Sequence, residues 1–414
     1  MIPHDPPDPK WNEDPEAALA EVERLIRDTG KTYLGAGHFQ ALDRLPRNIA
    51  ETTDDQIILS STRVHDISAL SSLRGIRMLT LSKYVTDISV VSALGDLEYL
   101  DFSFAKITDL SPLTMCRKLS TVVNLPDGLA DLSPLGKVKS LRHLQLGLSK
   151  DRTLPEIPSL IKFLPHAQKG DEFNLDLGFL AASPNLEVIL GNNLRGFNPP
   201  KKSKVLTHFS MSLADPKDFG TVAKYRSLIE LSVPSTDIRD LSAIPSKTRL
   251  QKLDLSGTRI SDIRRLTKLK HLTELNVSRT MIDDIVPLSY CSSLKRIQAA
   301  GTKITSLTGW NPDADLQSLD VSETGFSDLG PLVGTYLGSL SARDTPLSDL
   351  RGMSRIRGLR GLSIQGTKVA EIPLGEMRAA VLNVKESDDF RNQPWFNFQD
   401  TPLEASGFKL CTPR

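Results

Sequence analysis

Leucine and other apolar residues recur along the chain in a pattern that alternates with polar positions. Two successive copies, Leu250 to Leu269 and Leu272 to Cys291, both follow L-x-x-L-x-L-x-x-T-x-I-x-D-I-x-x-L. The alternation at the start of each copy predicts a short strand with one buried face. Because such a strand cannot bury its apolar face alone, we expect the copies to stack as parallel strands about 4.8 Å apart.

An aspartate after each predicted strand marks the period, which stays between 20 and 23 residues along most of the chain. An aspartate accepts hydrogen bonds at the start of a helical turn, so we predict a short turn at each marker. The threonine after the strand can satisfy backbone groups in the turn. The markers are Asp66, Asp87, Asp109, Asp131, Asp176, Asp218, Asp240, Asp262, Asp284, Asp328 and Asp349, with Thr153, Asn198, Ser306 and Glu371 in the same phase.

These repeats resemble the leucine-rich repeat family, and segments such as Asp109-Leu110-Ser111-Pro112-Leu113 are most similar to its internalin-like subclass with a 22-residue period. The resemblance implies an α/β repeat solenoid, a leucine-rich repeat horseshoe. Short parallel strands would line its concave face, with turns or 3-10 segments on the convex face. It also implies protein binding on the concave face. Thr or Ala, as at Ala105, stands where many relatives have Asn, so no particular internalin ligand is transferred.

The repeats predict three regions. Residues 1–49 form an N-terminal helical cap and a degenerate first repeat, residues 50–385 form the solenoid, and residues 386–414 form a C-terminal cap. A helix is expected from Pro15 to Asp28, where apolar residues recur at helical spacing, with Gly30 as its stop.

The C-terminal cap is predicted to hold a last short strand beginning at Phe396. Its aromatic residues would close the open end of the core, and a binding role is the alternative reading. These residues are Phe390, Trp395, Phe396 and Phe398.

Two irregular segments, residues 147–175 and 191–204, interrupt the solenoid. In the first, Ala167 and Lys169 stand where buried leucines are expected. Either one repeat has lost its strand or one coil carries a long excursion. The second segment is rich in Pro and Lys and predicts a loop. A functional loop and a drifted repeat are both open interpretations.

Charge and cysteine content narrow the functional classes. The 51 Lys and Arg against 50 Asp and Glu give a net charge of +1, which argues against a nucleic-acid partner. Three cysteines cannot form a disulfide framework. No signal peptide or apolar membrane span is apparent, so we expect a cytoplasmic monomer without membrane insertion. Secretion without a classical signal stays open.

Two clusters of basic residues follow phase markers, one after Asp262 and one after Asp349. A solvated outer face is the favoured interpretation, and binding of phosphate or an acidic partner is the alternative. The clusters contain Arg264, Arg265, Lys268 and Lys270, and then Arg351, Arg355, Arg357 and Arg360.

Motifs for catalysis are missing from the sequence, which has no GxSxG, Walker, HExxH or CxxC pattern. Cys116 and Cys291 occupy a slot that holds leucine in other copies, so we interpret both as core residues. His143 and His208 are three coils apart, too far to share a metal. We therefore expect no enzyme activity, no cofactor and no bound metal, and the segments outside the repeats are too short for a catalytic domain.

The register also predicts where a partner binds. Outward strand positions in the first half carry apolar and aromatic residues, whereas those in the second half are small, polar and charged. Exposed apolar groups on one surface mark a candidate interface. The alternative is that the irregular middle folds over them. The predicted partner-binding residues are Ile58, Met78, Tyr99, Asp101, Val123, His143 and Gln145.

The sequence therefore predicts a non-catalytic scaffold that binds a protein partner, of unknown identity, through the N-terminal half of its concave face. Two alternatives stay open: a bacterial secreted effector or adhesin that engages a host protein, and the recognition arm of a signalling complex.

Overall fold

The chain folds as stacked coils, each with a short strand and a turn. The structure is a computed structural model that describes residues 9–34, 37–103, 105–126, 129–147, 154–166, 175–176, 178–191, 197–198, 204–211, 216–246, 248–371 and 395–397. The chain divides into two compact units, Met1–Leu206 and Thr207–Arg414.

The first unit begins with two helices, α1 (Lys10–Glu13) and α2 (Pro15–Thr29). The Asp14 carboxylate accepts a hydrogen bond from the Glu16 N–H at 2.9 Å, which caps the start of α2. Gly30 ends the helix in the left-handed region at φ 71°, where glycine meets no steric penalty. The predicted helix is confirmed, and it ends one residue later than expected.

A parallel sheet follows the helices in the first unit. All of its strands except β7 and β9 pair in chain order, while β7 and β9 pair with each other. The strands are β1 (Gln56–Ile58), β2 (Met78–Thr80), β3 (Tyr99–Asp101), β4 (Thr121–Leu125), β5 (His143–Gly147), β6 (Lys162–His166), β7 (Leu175–Asp176), β8 (Val188–Leu190) and β9 (Phe197–Asn198). The helical turns of this unit are Ile49–Glu51, before β1, and then Ser68–Ser72, Ser89–Ala93, Ser111–Met115, α3 (Ser133–Lys137) and Gly178–Ala182.

The second unit repeats this arrangement, and its described residues form nine parallel strands in chain order. They are β10 (His208–Ser210), β11 (Glu230–Ser232), β12 (Lys252–Asp254), β13 (Glu274–Asn276), β14 (Arg296–Gln298), β15 (Asp315–Asp320), β16 (Tyr336–Ser341), β17 (Gly361–Ser363) and β18 (Trp395–Asn397). The helical turns are Pro216–Asp218, α4 (Phe219–Val222), Leu266–Lys268, Val286–Tyr290, Gly330–Leu332 and Met353–Arg355.

The predicted last strand is present as β18, which begins one residue earlier than expected. Leu362 of β17 pairs with Phe396 of β18. Phe390 and Phe398 lie outside the described residues.

Each three-residue strand from β1 to β17 buries its central residue against the equivalent residue of the next coil. Leu231, Leu253 and Leu275 stand side by side in β11, β12 and β13, and none is more than 2% exposed. Burial of one leucine per coil removes apolar area from water at every step of the stack. The predicted strands and their register are confirmed for these coils.

Buried threonines close the turns after the strands β12 to β17. The Thr258 hydroxyl donates to the Leu255 carbonyl at 2.6 Å, and Thr280 donates to Val277 in the same way. Adjacent coils are joined by backbone instead: the N–H of Gly257, in the left-handed region at φ 68°, donates to the Ser278 carbonyl at 2.8 Å. Because the backbone links the coils, threonine can replace the asparagine that the resemblance implies at this position.

Phase-marker aspartates begin the helical turns Ser111–Met115 and Ser133–Lys137, as predicted, whereas Asp218 makes no such cap contact. The Asp109 carboxylate accepts a hydrogen bond from the Ser111 N–H at 2.7 Å, and Asp131 accepts one from Ser133 at 2.8 Å. This contact, from a side chain to the backbone two residues on, forms an Asx turn. Hydrogen bonds to the ionised form hold the pKa of both carboxyl groups below the ordinary range.

Stability should depend on pH through these carboxylates. Hydrogen bonds from the Arg264 side chain and backbone lower the pKa of Asp262 from 3.8 to about 2. A lowered pKa in the folded state adds stability above about pH 4 that is lost as the pH falls through about 2. We expect Asp262→Asn to reduce the slope of unfolding free energy against pH over this range, measured by urea unfolding.

The control for this measurement is Asp283→Asn, at an exposed aspartate that has no hydrogen-bond partner in the described part of the chain. It should leave the slope as in the parent protein. Equal slopes for the parent protein and Asp262→Asn would contradict a role for this carboxylate in acid unfolding.

The first irregular segment contains a strand, β6, and the long excursion comes between β6 and β8. Leu144 of β5 pairs with Phe163 of β6, only 19 residues on, and Phe163 pairs with Ile189 of β8, 26 residues on. Of the two alternatives, a lost strand is therefore wrong. Phe163 and Pro165 fill the buried slots expected at Ala167 and Lys169. The segment predicted as a loop at 191–204 contains β9.

Candidate functional site

The seven residues predicted to bind a partner lie on the outward face of the first unit's sheet. Six of them are half-buried and His143 is exposed, whereas the intervening Leu79, Leu100 and Val122 are buried. Strand geometry thus turns alternate residues outward. We call this set the strand face: Ile58 on β1, Met78 on β2, Tyr99 and Asp101 on β3, Val123 on β4, and His143 and Gln145 on β5.

Strand pairing arranges these residues in two rows. In the first row Met78 lies beside Tyr99, followed by Thr121 and His143. Since neighbouring strands lie about 4.8 Å apart, the Met78 and Tyr99 side chains are direct neighbours. In the second row the apolar residues are separated by polar ones, in the order Ile58, Thr80, Asp101 and Val123. The apolar part of the strand face is therefore centred on Met78 and Tyr99.

Asp101 is held by contacts within the fold. Its Oδ1 atom accepts hydrogen bonds from the Ser103 N–H at 2.7 Å and from the Asn124 side-chain amide at 2.9 Å. Asn124 has φ 52°, and the pairing of β4 with β5 is irregular here, so that Leu125 pairs with Leu146 and is buried. Asp101 thus anchors the end of β3 to the next coil.

Tyr99 and His143 are both uncharged at neutral pH. Burial, and then the Asp101 charge, raises the pKa of Tyr99 above its ordinary value of 10.0. Partial burial lowers the pKa of His143 below 6.5, as do the charges of Lys162 and Arg142. The His143 ring lies 3.3 Å from the Thr121 hydroxyl. Both rings offer an apolar body with a polar edge, which is typical of interface residues.

The structure adds residues that the sequence did not reveal. Lys162 and Leu164 of β6 continue the two rows beyond His143 and Gln145. The marker spacing predicts this strand several residues later, but the buried residues Leu160, Phe163 and Pro165 follow the same spacing as the leucines of the other repeats. Tyr84, just after β2, is 45% exposed, and the Lys83 ammonium lies 5.1 Å from its ring centre.

A depression of about 290 Å³ adjoins the strand face at Ile58. It would accept a side chain next to the apolar residues. Lys31 and Asp54 form an ion pair at 3.1 Å in its wall. The other lining residues are Thr32, Tyr33, Leu34, Asp55, Gln56 and Ile58.

The corresponding face of the second unit is polar and neutralises its own charges. Glu274 of β13 pairs with Lys252 at 3.6 Å and with Arg296 at 2.5 Å, one on each neighbouring strand. A depression of about 260 Å³ lies over these residues. Because the opposite charges are already paired, this face offers less to a partner than the strand face does.

The cysteines behave as packing residues. Cys116 is buried and Cys291 is half-buried. Burial raises the pKa of Cys116 to about 11, and it also raises that of Cys291, so both thiols stay protonated at neutral pH. Within the described ranges, no group of three or more His, Cys, Asp or Glu residues could hold a metal ion. No helix in the same ranges is long and apolar enough to span a membrane.

The two predicted basic clusters are partly engaged by neighbouring groups. The Arg265 guanidinium donates two hydrogen bonds to the Ile244 carbonyl, at 2.9 and 2.8 Å. Arg264 pairs with Asp262, and Arg351 pairs with Asp349. These contacts reduce the number of cations in the two clusters that could meet a ligand.

Comparison with known proteins supports the fold. Residues 248–290 match the family model for leucine-rich repeats, over two copies. No curated protein matches the chain significantly. A leucine-rich repeat protein of Leptospira interrogans is similar in structure, with a TM-score of 0.58 and 16% identity over 88% of this chain and 97% of that chain. An internalin of Listeria monocytogenes is also similar, with a TM-score of 0.47 and 20% identity over 94% of this chain and 99% of that chain.

Proposed function

We propose that the chain, which has the fold of leucine-rich repeat proteins, is a non-catalytic scaffold that binds a protein partner on the strand face of its first unit. The observation that carries the proposal is the half-buried pair Met78 and Tyr99, which lies in one row with the exposed His143. Aromatic and sulfur-containing side chains on an open surface are enriched at the centres of protein interfaces.

The sheet holds these side chains ready for a partner. Met78 and Tyr99 project from strands whose central leucines are fully buried, and Asp101 fixes the turn that follows Tyr99. Side chains on regular strands lose less freedom on binding than side chains on loops, which favours affinity. The second unit supports the assignment by contrast, because its outward row carries Glu230, Lys252 and Glu274 in place of apolar residues.

We expect the double substitution Met78→Ala and Tyr99→Ala to release partners that the parent protein retains. Loss of an interface hot spot costs about 2 kcal/mol or more, which corresponds to roughly 30-fold in affinity. Tagged parent and variant proteins are compared by affinity purification from native cells with mass spectrometry. The affinity of each retained protein is then measured with purified components.

The matched control is Arg296→Ala with Gln298→Ala, on the outward positions of β14 in the second unit. It removes two exposed side chains from the polar face, and partner retention should persist. Circular dichroism confirms folding of both variants. If the Met78 and Tyr99 variant folds normally and retains the same partners with unchanged affinity, the proposed site is wrong.

A further inference from the structure

The flank where the chain enters the strands of the first unit carries a row of ion pairs between neighbouring coils. Arg77, just before β2, pairs with Glu98 at 3.1 Å, and Lys118 pairs with Asp96 at 2.7 Å. The row then stops. Lys139 and Arg142, just before β5, are exposed and have no carboxylate partner among the described residues. An excess of positive charge therefore lies just before β5.

These two cations line a depression of about 440 Å³. Its serine hydroxyls are engaged: Ser140 donates to the Leu119 carbonyl and Ser159 donates to the Leu141 carbonyl, both at 2.7 Å. Its one carboxylate, Glu98, is neutralised by Arg77. The charged donors left for an incoming group are thus Lys139 and Arg142. The lining residues are Glu98, Lys118, Ser120, Lys139, Ser140, Arg142, Ser159, Ile161 and Asn185.

The depression is continuous with the strand face. Arg142 directly precedes His143, and Lys162 lies beside His143 on β6. The charges of Lys162 and Arg142 lower the pKa of His143, so their field extends over this end of the strand face. We call Lys139, Arg142 and Lys162 the basic flank.

We propose that the basic flank binds the carboxylates of an acidic protein segment. This inference rests on the proposed function and specifies the chemistry of the partner. Arginine pairs with a carboxylate through two parallel hydrogen bonds, and lysine adds a point charge beside it. An occupant that meets Met78 and Tyr99 with apolar groups and the basic flank with Asp or Glu satisfies both surfaces. A protein segment supplies both kinds of group, whereas a nucleic acid lacks aliphatic side chains.

The test uses two fluorescein-labelled probes, a dodecamer of glutamate and an oligothymidylate of equal length. Binding to the full chain is measured by fluorescence polarisation at low and at physiological salt. We expect the glutamate peptide to bind at low salt and Lys139→Glu with Arg142→Glu to weaken it about tenfold or more, because like charges then face each other. Binding should fall as salt rises.

The matched control is Lys268→Glu with Lys270→Glu, which makes the same change of net charge at two exposed lysines of the second unit. It should leave peptide affinity within about twofold, because neither lysine lines the depression. An equal loss in both variants would show that only net charge matters and would overturn the proposal. Tighter binding of the oligothymidylate would overturn the assignment to protein.

A further comparison separates this inference from the proposed function. The Met78 and Tyr99 variant should still bind the glutamate peptide, because it keeps the basic flank. If that variant retains all cellular partners while the Lys139 and Arg142 variant loses the peptide, the strand face is wrong and the basic flank stands. If the parent protein does not bind the peptide at low salt, the basic flank is wrong, whatever the strand face does.

Discussion

Replacement of Leu253 by alanine is expected to lower the free energy of unfolding by about 2–5 kcal/mol. Leu253 lies in β12 between Leu231 and Leu275, its side chain is 2% exposed, and each neighbour occupies the same slot of an adjacent coil. The substitution removes the side-chain contacts of Leu253 with both neighbouring leucines at once. Since the strands on either side are held by backbone pairing, the coils cannot collapse fully into the space that is left.

Urea unfolding followed by circular dichroism measures this loss. The matched control is Lys252→Ala, on the preceding residue of the same strand, whose side chain points outward and forms one ion pair with Glu274 at 3.6 Å. An exposed pair of this kind contributes at most about 1 kcal/mol. A loss below about 1 kcal/mol for Leu253→Ala would mean that its side chain is not in the core, contrary to the register.

Leu253 also illustrates why so much of the fold could be predicted. The alternation around it decides which face is buried, and the repeat length decides which residue lies beside it. The same reasoning placed Thr258 and Asp262 correctly in the turn, because each acts within its own coil. Where a coil is held only by contacts within itself and with an adjacent coil, the sequence pattern predicts nearly all of its structure.

The first irregular segment shows where that reasoning stops. One coil shortens to 19 residues and the next lengthens to 26, so the phase on either side is the same as for two ordinary repeats. The two changes cancel in the spacing of the markers, so the spacing alone predicts the buried slots at Ala167 and Lys169. Thr153, in phase with the markers, lies outside the described residues. Only the side chains that fill the core, Phe163 and Pro165, reveal the true strand.

The positions of the strand-face residues could be predicted from the sequence, but their contacts with other coils could not. The outward direction of Met78 and Tyr99 follows from alternation alone. The bond from the Asn124 amide to Asp101 depends on a left-handed residue in the next coil, which no periodic pattern indicates. Likewise, the effect of Lys162 on His143 depends on the displaced strand β6. Contacts between coils at irregular positions thus require the structure.

Replacement of Phe326 by alanine is expected to cost about 3–5 kcal/mol, the range for a fully buried aromatic side chain. Phe326 is 0% exposed and follows Thr324 in the slot that holds isoleucine in the three preceding coils, at Ile260, Ile282 and Ile304. The coil makes room nearby with a glycine, since a Cβ atom on Gly325 would lie 2.8 Å from the Thr305 methyl carbon.

The variant Phe326→Ile tests whether the slot of Phe326 is still equivalent to the isoleucine slots of the neighbouring coils. Because isoleucine fills the same slot in neighbouring coils, the coil should accept it at a cost below about 1.5 kcal/mol, well under that of alanine. Urea unfolding of both variants gives the comparison. If isoleucine costs as much as alanine, the slot has been reshaped around the ring and is no longer equivalent to that of Ile304. If it costs little, the stack tolerates either side chain because every coil presents the same space to its neighbour.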